Sequence, residues 1–279
     1  MMQNDTILHF GKSLVQHGHY NNRVYLMRIA PGECGKIIRF ADDMVQQEGY
    51  TKIFAKVRES QERLFSEAGY RTEAAVADFF SSHETALFMA KYQDPARMVV
   101  GDEQEIADVM RDVSGSTDDR SSHELPDGFS LSYAGPDDAH EIAALYHRVF
   151  ETYPFPIFDP EYIRATMQEH IRYFVIKRAR LIAAVASCEI DYENRNVEVT
   201  DFATNPLFRG RGFAGILLRA MEAEMQKSGI RLAYTIARAI FRPINAVFAG
   251  AGYQFGGLLK NNTNISGSME SMNVWYRKL

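Results

Sequence analysis

The sequence predicts an α/β protein, an α+β mixed sheet whose complete unit occupies residues 129–279 and follows a partial, decayed copy of that unit at residues 1–113. Three observations carry this expectation. Beyond residue 128, short apolar segments of strand type take turns with segments of helical periodicity. A glycine-rich turn opens a strong helix at residue 213. Four strings in the first half resemble four strings in the second, in the same order. An apolar fraction of 46% and a charged fraction of 24% suit a globular chain, and 279 residues suffice for two modest domains.

The elements follow in order. Residues 102–113 read as a short helix with Ile106, Val109, Met110 and Val113 on one side. The polar stretch 114–128, dominated by Ser, Gly, Asp and Pro, has nothing to bury and predicts a linker. Residues 129–133 form a strand candidate. A helix over 137–150 carries Ile142, Leu145, Tyr146 and Val149 at helical spacing. A proline-containing loop, 153–160, leads into a helix over 161–169. Residues 172–177 and 181–190 read as hairpin strands, and 197–204 as a further strand. The helix over 213–228 sets Ala214, Leu217, Leu218, Met221 and Met225 on one face. A strand (232–237), a helix (245–251) and two last strands (254–259 and 272–276) complete the unit. In the first half, 21–31 resembles 194–206, 36–44 resembles 215–225, 54–56 resembles 236–238, and 64–70 resembles 247–253, both of the last ending in Ala-Gly-Tyr.

Charge and cysteine usage narrow the function classes. With 31 basic against 36 acidic residues the formal net charge is −5, which argues against nucleic acid as a partner, because phosphate neutralisation needs a concentrated basic face. No apolar run approaches the roughly 18–20 residues that span a bilayer, and the N-terminus lacks a basic-then-apolar leader, so no membrane partner is expected. Cys34 and Cys188 have no partner spacing, which predicts neither a disulfide framework nor a metal knot. A reducing cytoplasm and no metal are the expectation; a homodimer is left open.

Residues 210–215 formally satisfy the G-x-G-x-x-G dinucleotide fingerprint. The flanks refuse it. A dinucleotide site wants an apolar strand running straight into the first glycine and an acidic residue ending the next strand. Here 205–208 intervene, the strand carries Glu198 and Asp201, and the next strand ends in Arg238. Shifted by one, the pattern is Arg209-x-x-Gly212-x-Ala214. Small residues let the backbone wrap an anion, the helix N-terminus stabilises its charge, and Arg209 and Arg211 add charge-assisted contacts. With the flanking elements, this loop resembles the pyrophosphate-binding pattern of the GNAT superfamily of acetyltransferases over about 129–279. The resemblance implies a GNAT fold, an acetyl-CoA co-substrate and a small-molecule amine acceptor. It implies cofactor contacts from Arg209, Gly210, Arg211, Gly212, Phe213 and Ala214, from the main chain near Ala203 and Thr204, and from Asn245 and Phe248 on the following helix. The first copy lacks the loop and is not expected to hold the cofactor.

An alkylammonium must lose a proton before it can attack a thioester. Glu198 matches the strand position where histone-type members of the family carry a catalytic glutamate. Asp201 is the rival base, and strand alternation places it on the opposite face. Many family members protonate the leaving thiolate with a tyrosine where this chain has Phe248; Tyr234 is a substitute, and water is another.

Several strings resemble one branch of the family, the β-lysine N6-acetyltransferases that pair with lysine 2,3-aminomutase: 200–204, 234–239, Gly256-Gly257, 261–263 and 270–276. That resemblance implies acetylation of the terminal ε-amine to give a neutral compatible solute. For a zwitterionic substrate, Arg238 is the candidate for the carboxylate, and Glu270, Asn261 and Asn262 are candidates for the β-ammonium. Each has a plainer reading: Arg238 in an ion pair, the Asn pair as a turn, Glu270 solvated. Free lysine, a polyamine, a protein lysine, a catalytically idle binding module and a tRNA-dependent double-GNAT transferase remain the alternatives.

Overall fold

The structure is a computed structural model describing residues 5–114 and 124–279; most of the expected linker, 115–123, lies outside the described residues. The first half supplies β1 (Thr6–Phe10), β2 (Ser13–Gly18), β3 (Arg23–Arg28), α1 (Cys34–Glu48), β4 (Lys52–Arg58), α2 (Glu62–Glu67), β5 (Arg71–Phe80), β6 (Glu84–Tyr92) and α3 (Glu103–Ser114). The second supplies β7 (Ser130–Tyr133), α4 (Ala139–Val149), α5 (Pro160–Gln168), β8 (Ile171–Arg178), β9 (Leu181–Asp191), β10 (Asn196–Thr204), α6 (Phe213–Lys227), β11 (Leu232–Arg238), α7 (Arg242–Gly250), β12 (Gln254–Ile265) and β13 (Ser268–Lys278).

Among the described residues these strands form one sheet in the order β1-β2-β3-β4-β6-β5-β12-β13-β11-β10-β9-β8-β7. Two strand pairs in it are parallel: β3 with β4, joined by α1, and β10 with β11, joined by α6. The order β1-β2-β3-β4-β6-β5 therefore repeats β8-β9-β10-β11-β13-β12. Local packing repeats as well. The Tyr70 N–H donates to the Phe65 carbonyl at 3.0 Å, as the Tyr253 N–H donates to that of Phe248 at 3.0 Å. In both pairs the rings meet edge to face, with centroids 5.0 and 5.1 Å apart. By strand register Arg23 corresponds to Asn196 and Tyr25 to Glu198, which moves the sequence match of 54–56 by two residues, onto 234–236.

The two series meet at β5 and β12, where Ala74 pairs with Gly257. Glycine is required there. A Cβ on Gly257, whose φ is +142°, would stand 2.3 Å from the Glu73 carbonyl oxygen and 2.6 Å from the Ala74 Cα. The core ignores the seam: Tyr25, Phe54, Phe79 and Phe88 of the first half share one buried cluster with Ile142, Tyr146, Tyr173 and Tyr234 of the second.

Several sequence expectations change in detail. The last two strands extend into a long hairpin, turned at Ser266 and Gly267, both at positive φ. The Asn261–Asn262 turn reading gives way to strand β12, with an irregular register between Leu259 and Thr263 and Asn261 at φ +41°. Helix α7 starts at Arg242, with Pro243 in its first turn, rather than at 245. The strands β1, β2, β5 and β6 carried no expectation.

Candidate active site

Strand β10 and strand β11 pair only at Asn196–Leu232, Val197–Ala233 and Glu198–Tyr234, then part. Beyond this fork their facing main-chain groups are not bonded to each other, and a cavity of about 750 Å³ opens. Helix α6 points its N-terminus at the cavity. Gly212 caps it at φ +70° without a side-chain cap, so no capping side chain takes up the first-turn N–H groups. Gly210, at φ +77°, has open space where a Cβ would stand. Arg209, Gly210, Arg211, Gly212, Phe213 and Ala214 all line the cavity, as do Thr204 and Phe248. These residues fit a coenzyme A pyrophosphate at the helix end and its pantetheine arm between the strands.

One expected cofactor contact falls elsewhere, at Asn245; Ala203 is buried opposite Val185 of β9, and the contact expected near it is through the main chain. Asn245 is a structural hub. Its amide donates to the Arg238 and Phe241 carbonyls, and its Oδ1 accepts from Asn273 and from the Trp275 indole. Phe248 is fully buried, edge-on to Phe202 and Tyr253, and has no proton to offer.

Acidic groups gather at the fork. Glu198 and Asp201 both line the cavity, contrary to the alternation expected of a regular strand. A bulge explains it: Asp201 takes φ +56° and the β9–β10 register slips between Thr200 and Ala203. Asp201 accepts from the Tyr153 hydroxyl and, at 2.6 Å, from Ser187 Oγ. Burial raises its carboxyl above the ordinary aspartate value, and these donors pull it back. Glu189 stands directly opposite Glu198 on β9. Burial first, then Glu198 and Asp201, push Glu189 up to about 8. Burial also raises Glu198, while Lys56 and a hydrogen bond from Tyr234 oppose the rise.

Residues the sequence reading missed reach in from the first half. Arg23, Tyr25, Met27, Phe54 and Lys56 of β3 and β4 line the same cavity as Glu198. Lys56 Nζ lies 3.3 Å from the Tyr234 hydroxyl and bonds Tyr25. Burial works against this ammonium, but Tyr25, Glu198 and Glu189 outweigh it and hold its pKa above the usual lysine value. Tyr234 is buried against Phe79 and Phe88 and lies outside the cavity wall; its hydroxyl is committed to Glu198 and Lys56. Burial and Glu198 raise it well above the ordinary phenol, which makes it a poor proton donor to a thiolate. One signal was available for Glu189: it is the one charged residue in the string 181–190.

The expected substrate residues divide. Arg238 lines the cavity, but Glu270 holds its guanidinium bidentately, at 2.8 and 2.6 Å, and Glu270 is itself buried. The two residues neutralise each other. Asn261 donates to the Arg97 and Val99 carbonyls and stays out of the cavity. Asn262 lines it, buried, with Oδ1 unpartnered. The start of α1 differs from that of α6: Glu33 stands at its cap and accepts from the Lys12 and Ser13 N–H groups, so a carboxylate occupies the place corresponding to the glycine loop. Among the described residues no cluster of His, Cys, Asp or Glu is suited to a metal ion, and no helix is long and apolar enough to cross a membrane.

A helix end open to an anion, joined by a strand fork to a carboxylate cluster, suits an enzyme that transfers a group from a phosphate-bearing donor. Residues 139–243 match the Acetyltransferase (GNAT) family. The chain is 36% identical, over 98% of both chains, to the β-lysine N(6)-acetyltransferase of Methanococcus maripaludis. It is 31% identical, over 96% of both, to the N-acetyltransferase YodP of Bacillus subtilis. It is 41% identical to the β-lysine N(6)-acetyltransferase of Methanosarcina mazei over 56% of this chain and 57% of that one. The solved ribosomal-protein-S18-alanine N-acetyltransferase of Escherichia coli aligns with a TM-score of 0.48 at 15% identity, over 54% of this chain and 93% of that one. The chain belongs to the GNAT family and is an acetyl-CoA-dependent N-acetyltransferase.

Proposed function

We propose that the chain acetylates the ε-amine of β-lysine, giving Nε-acetyl-β-lysine as a neutral compatible solute, by direct transfer within a ternary complex in the cytoplasm. The observation that carries this reading is the Glu198 carboxylate, lining the cavity at the fork where β10 and β11 part. The substrate named for the relatives at 36% and 41% identity supports the choice of amine.

Bound acetyl-CoA supplies the activated acetyl thioester. Glu198 accepts the ε-ammonium proton; its raised pKa brings it closer to the operating pH, where a general base works best. Tyr234 and Lys56 hold Glu198 in place. Asp201, committed to Tyr153 and Ser187, fixes the bulge and adds negative potential that favours a cationic amine. Main-chain N–H groups near Ala203 and Thr204 receive the developing oxyanion. With Phe248 at the family's tyrosine position, the thiolate takes its proton from solvent. Neither Cys34 nor Cys188 lines the cavity, which favours direct attack over an acyl-enzyme.

In this reading residues 129–279 are the catalytic domain, 1–113 a degenerate GNAT-like copy, and 114–128 the connection. Thiol release from acetyl-CoA, measured over a panel of β-lysine, lysine, spermidine and a lysine peptide, tests it. Release with β-lysine at the highest kcat/KM is expected. Release with other amines but not β-lysine removes the substrate assignment.

A further inference from the structure

The first half brings three cations toward the seam, Lys52 and Arg23 buried and Arg97 half-buried, and they differ in what satisfies them. Lys52 pairs with Glu73 at 2.9 Å. Arg97 donates to the Asn261 and Asn21 carbonyls and to Thr51 Oγ1. Arg23, only 4% exposed, meets no carboxylate at ion-pair distance among the described residues. Its Nη1 donates to the Asn262 carbonyl and, at a long 3.4 Å, to Thr263 Oγ1; Nη2 reaches Gln16 at 3.5 Å; Nε has no partner at all. Five donors on a guanidinium are therefore met by one good acceptor and two marginal ones. Asp5, whose charge favours the Arg23 cation, spends its own oxygens on Tyr20 and Asn21. Burial lowers Arg23 to about 10, which leaves it charged at neutral pH.

A buried arginine without an anion is costly, and this one lines the cavity. Its neighbour carries the opposite deficit. Asn262, whose carbonyl Arg23 holds, has a buried Oδ1 with no donor and lines the cavity too. An orphaned donor thus lies beside an orphaned acceptor. Along the same wall, Arg23 stacks at 5.1 Å on Tyr25, Lys56 lies 5.7 Å over Tyr25, and Lys56 reaches Tyr234 beside Glu198. The wall therefore runs from the underserved guanidinium of Arg23 to the carboxylate of Glu198.

We propose that Arg23, on the half that lacks the cofactor loop, binds the carboxylate of an amino-acid substrate while Asn262 Oδ1 accepts from the neighbouring ammonium, so that the distal amine is delivered to Glu198. This assigns to Arg23 the role that the sequence reading gave to Arg238, which Glu270 already neutralises. It rests on the reading of the enzyme as an amino-acid acetyltransferase and adds what selects the substrate.

The test compares each amino acid with the diamine left when its carboxylate is removed: β-lysine with 1,4-diaminopentane, and lysine with 1,5-diaminopentane. In wild type the carboxylate-bearing member is the better substrate. In Arg23→Met its kcat/KM is expected to fall roughly 10- to 100-fold further than that of the diamine, the size of a lost hydrogen bond to a charged group, mostly through KM. Arg23→Lys keeps the charge without the fork and is expected to show the same selectivity of loss at smaller size; it stands in if the Met variant does not fold. A variant that loses both members of a pair equally, or neither, overturns the role of Arg23 and leaves the β-lysine assignment standing. Selective loss of lysine in an enzyme that ignores β-lysine upholds Arg23 and sinks that assignment. A wild type indifferent to the carboxylate overturns the inference outright.

Discussion

Replacing Lys56 by Met is expected to move the acid limb of the pH–rate profile toward alkaline pH, because it removes the cation that keeps Glu198 ionised. Lys56 Nζ is 3.3 Å from the Tyr234 hydroxyl, which in turn bonds Glu198. With a hydrogen bond of about 2.7 Å, the ammonium and carboxylate are at most roughly 6 Å apart. Coulomb's law then gives about 0.7 kcal/mol at the permittivity of water and about 2.8 kcal/mol at an effective value near 20, or roughly 0.5–2 pH units. The sign follows from the site. Burial raises Glu198 and Lys56 opposes the rise, so removing Lys56 raises it further and the base form is lost at a higher pH. Asp201 remains to push in the same direction. The measurement is kcat/KM for the amine from about pH 5.5 to 9.5 at saturating acetyl-CoA, with a thermal melt to establish folding. A folded variant whose acid limb stays within about 0.2 unit of wild type, or moves toward acid pH, refutes the coupling.

Glu198→Gln is expected to lower kcat by about 10²- to 10⁴-fold, the range of general-base catalysis, with coenzyme A affinity by calorimetry unchanged; retention of wild-type turnover at neutral pH would remove Glu198 as the base. Glu189 carries a proton in the folded state up to about pH 8, well above its unfolded value. Its contribution to stability is therefore full below the unfolded pKa and is lost as pH rises through 8, with a slope of at most about 1.4 kcal/mol per pH unit. Melting curves of Glu189→Gln between pH 5 and 9 are expected to fall less steeply than those of wild type; parallel curves contradict the shift. Gly257→Ala forces a Cβ against the Glu73 carbonyl and Ala74, and a loss of roughly 2–4 kcal/mol is expected, seen as a melting temperature lower by about 5–15 °C; a melt within 2 °C of wild type would show that the seam yields.

The local parts of the site were legible in the sequence because they depend on neighbours along the chain. Arg209 to Ala214 declared an anion loop through glycine spacing before an amphipathic helix, and Glu198 was placed by its distance from Thr204. What escaped was set by register across the sheet. Asp201 joins Glu198 only because a bulge breaks the period of two, and nothing in 196–204 marks the bulge. Arg238 and Glu270, read as separate substrate contacts, meet because β11 lies against β13. Lys56 and Arg23 belong to the site only because the edge strands β5 and β12 join, a tertiary event carried by two glycines that look like any turn. The repeat of the scaffold was visible as weak similarity; the sharing of one cavity between its copies was not.

Along the gene, the two ends of the cavity wall are written 175 codons apart, Arg23 in the first half and Glu198 in the second. In the proposed mechanism acetyl transfer draws on β10, β11 and α6, while the far wall of the cavity is lined from β3 and β4. A duplicated scaffold of this kind frees one copy from the constraints of handling the thioester. Libraries confined to positions 23, 27 and 54, which leave Lys56 and its hold on Glu198 untouched, are expected to alter which amine is accepted while acetyl transfer persists. With residues 1–113 taken, as proposed, for a degenerate copy, the half without the glycine loop is the evolvable half of the enzyme.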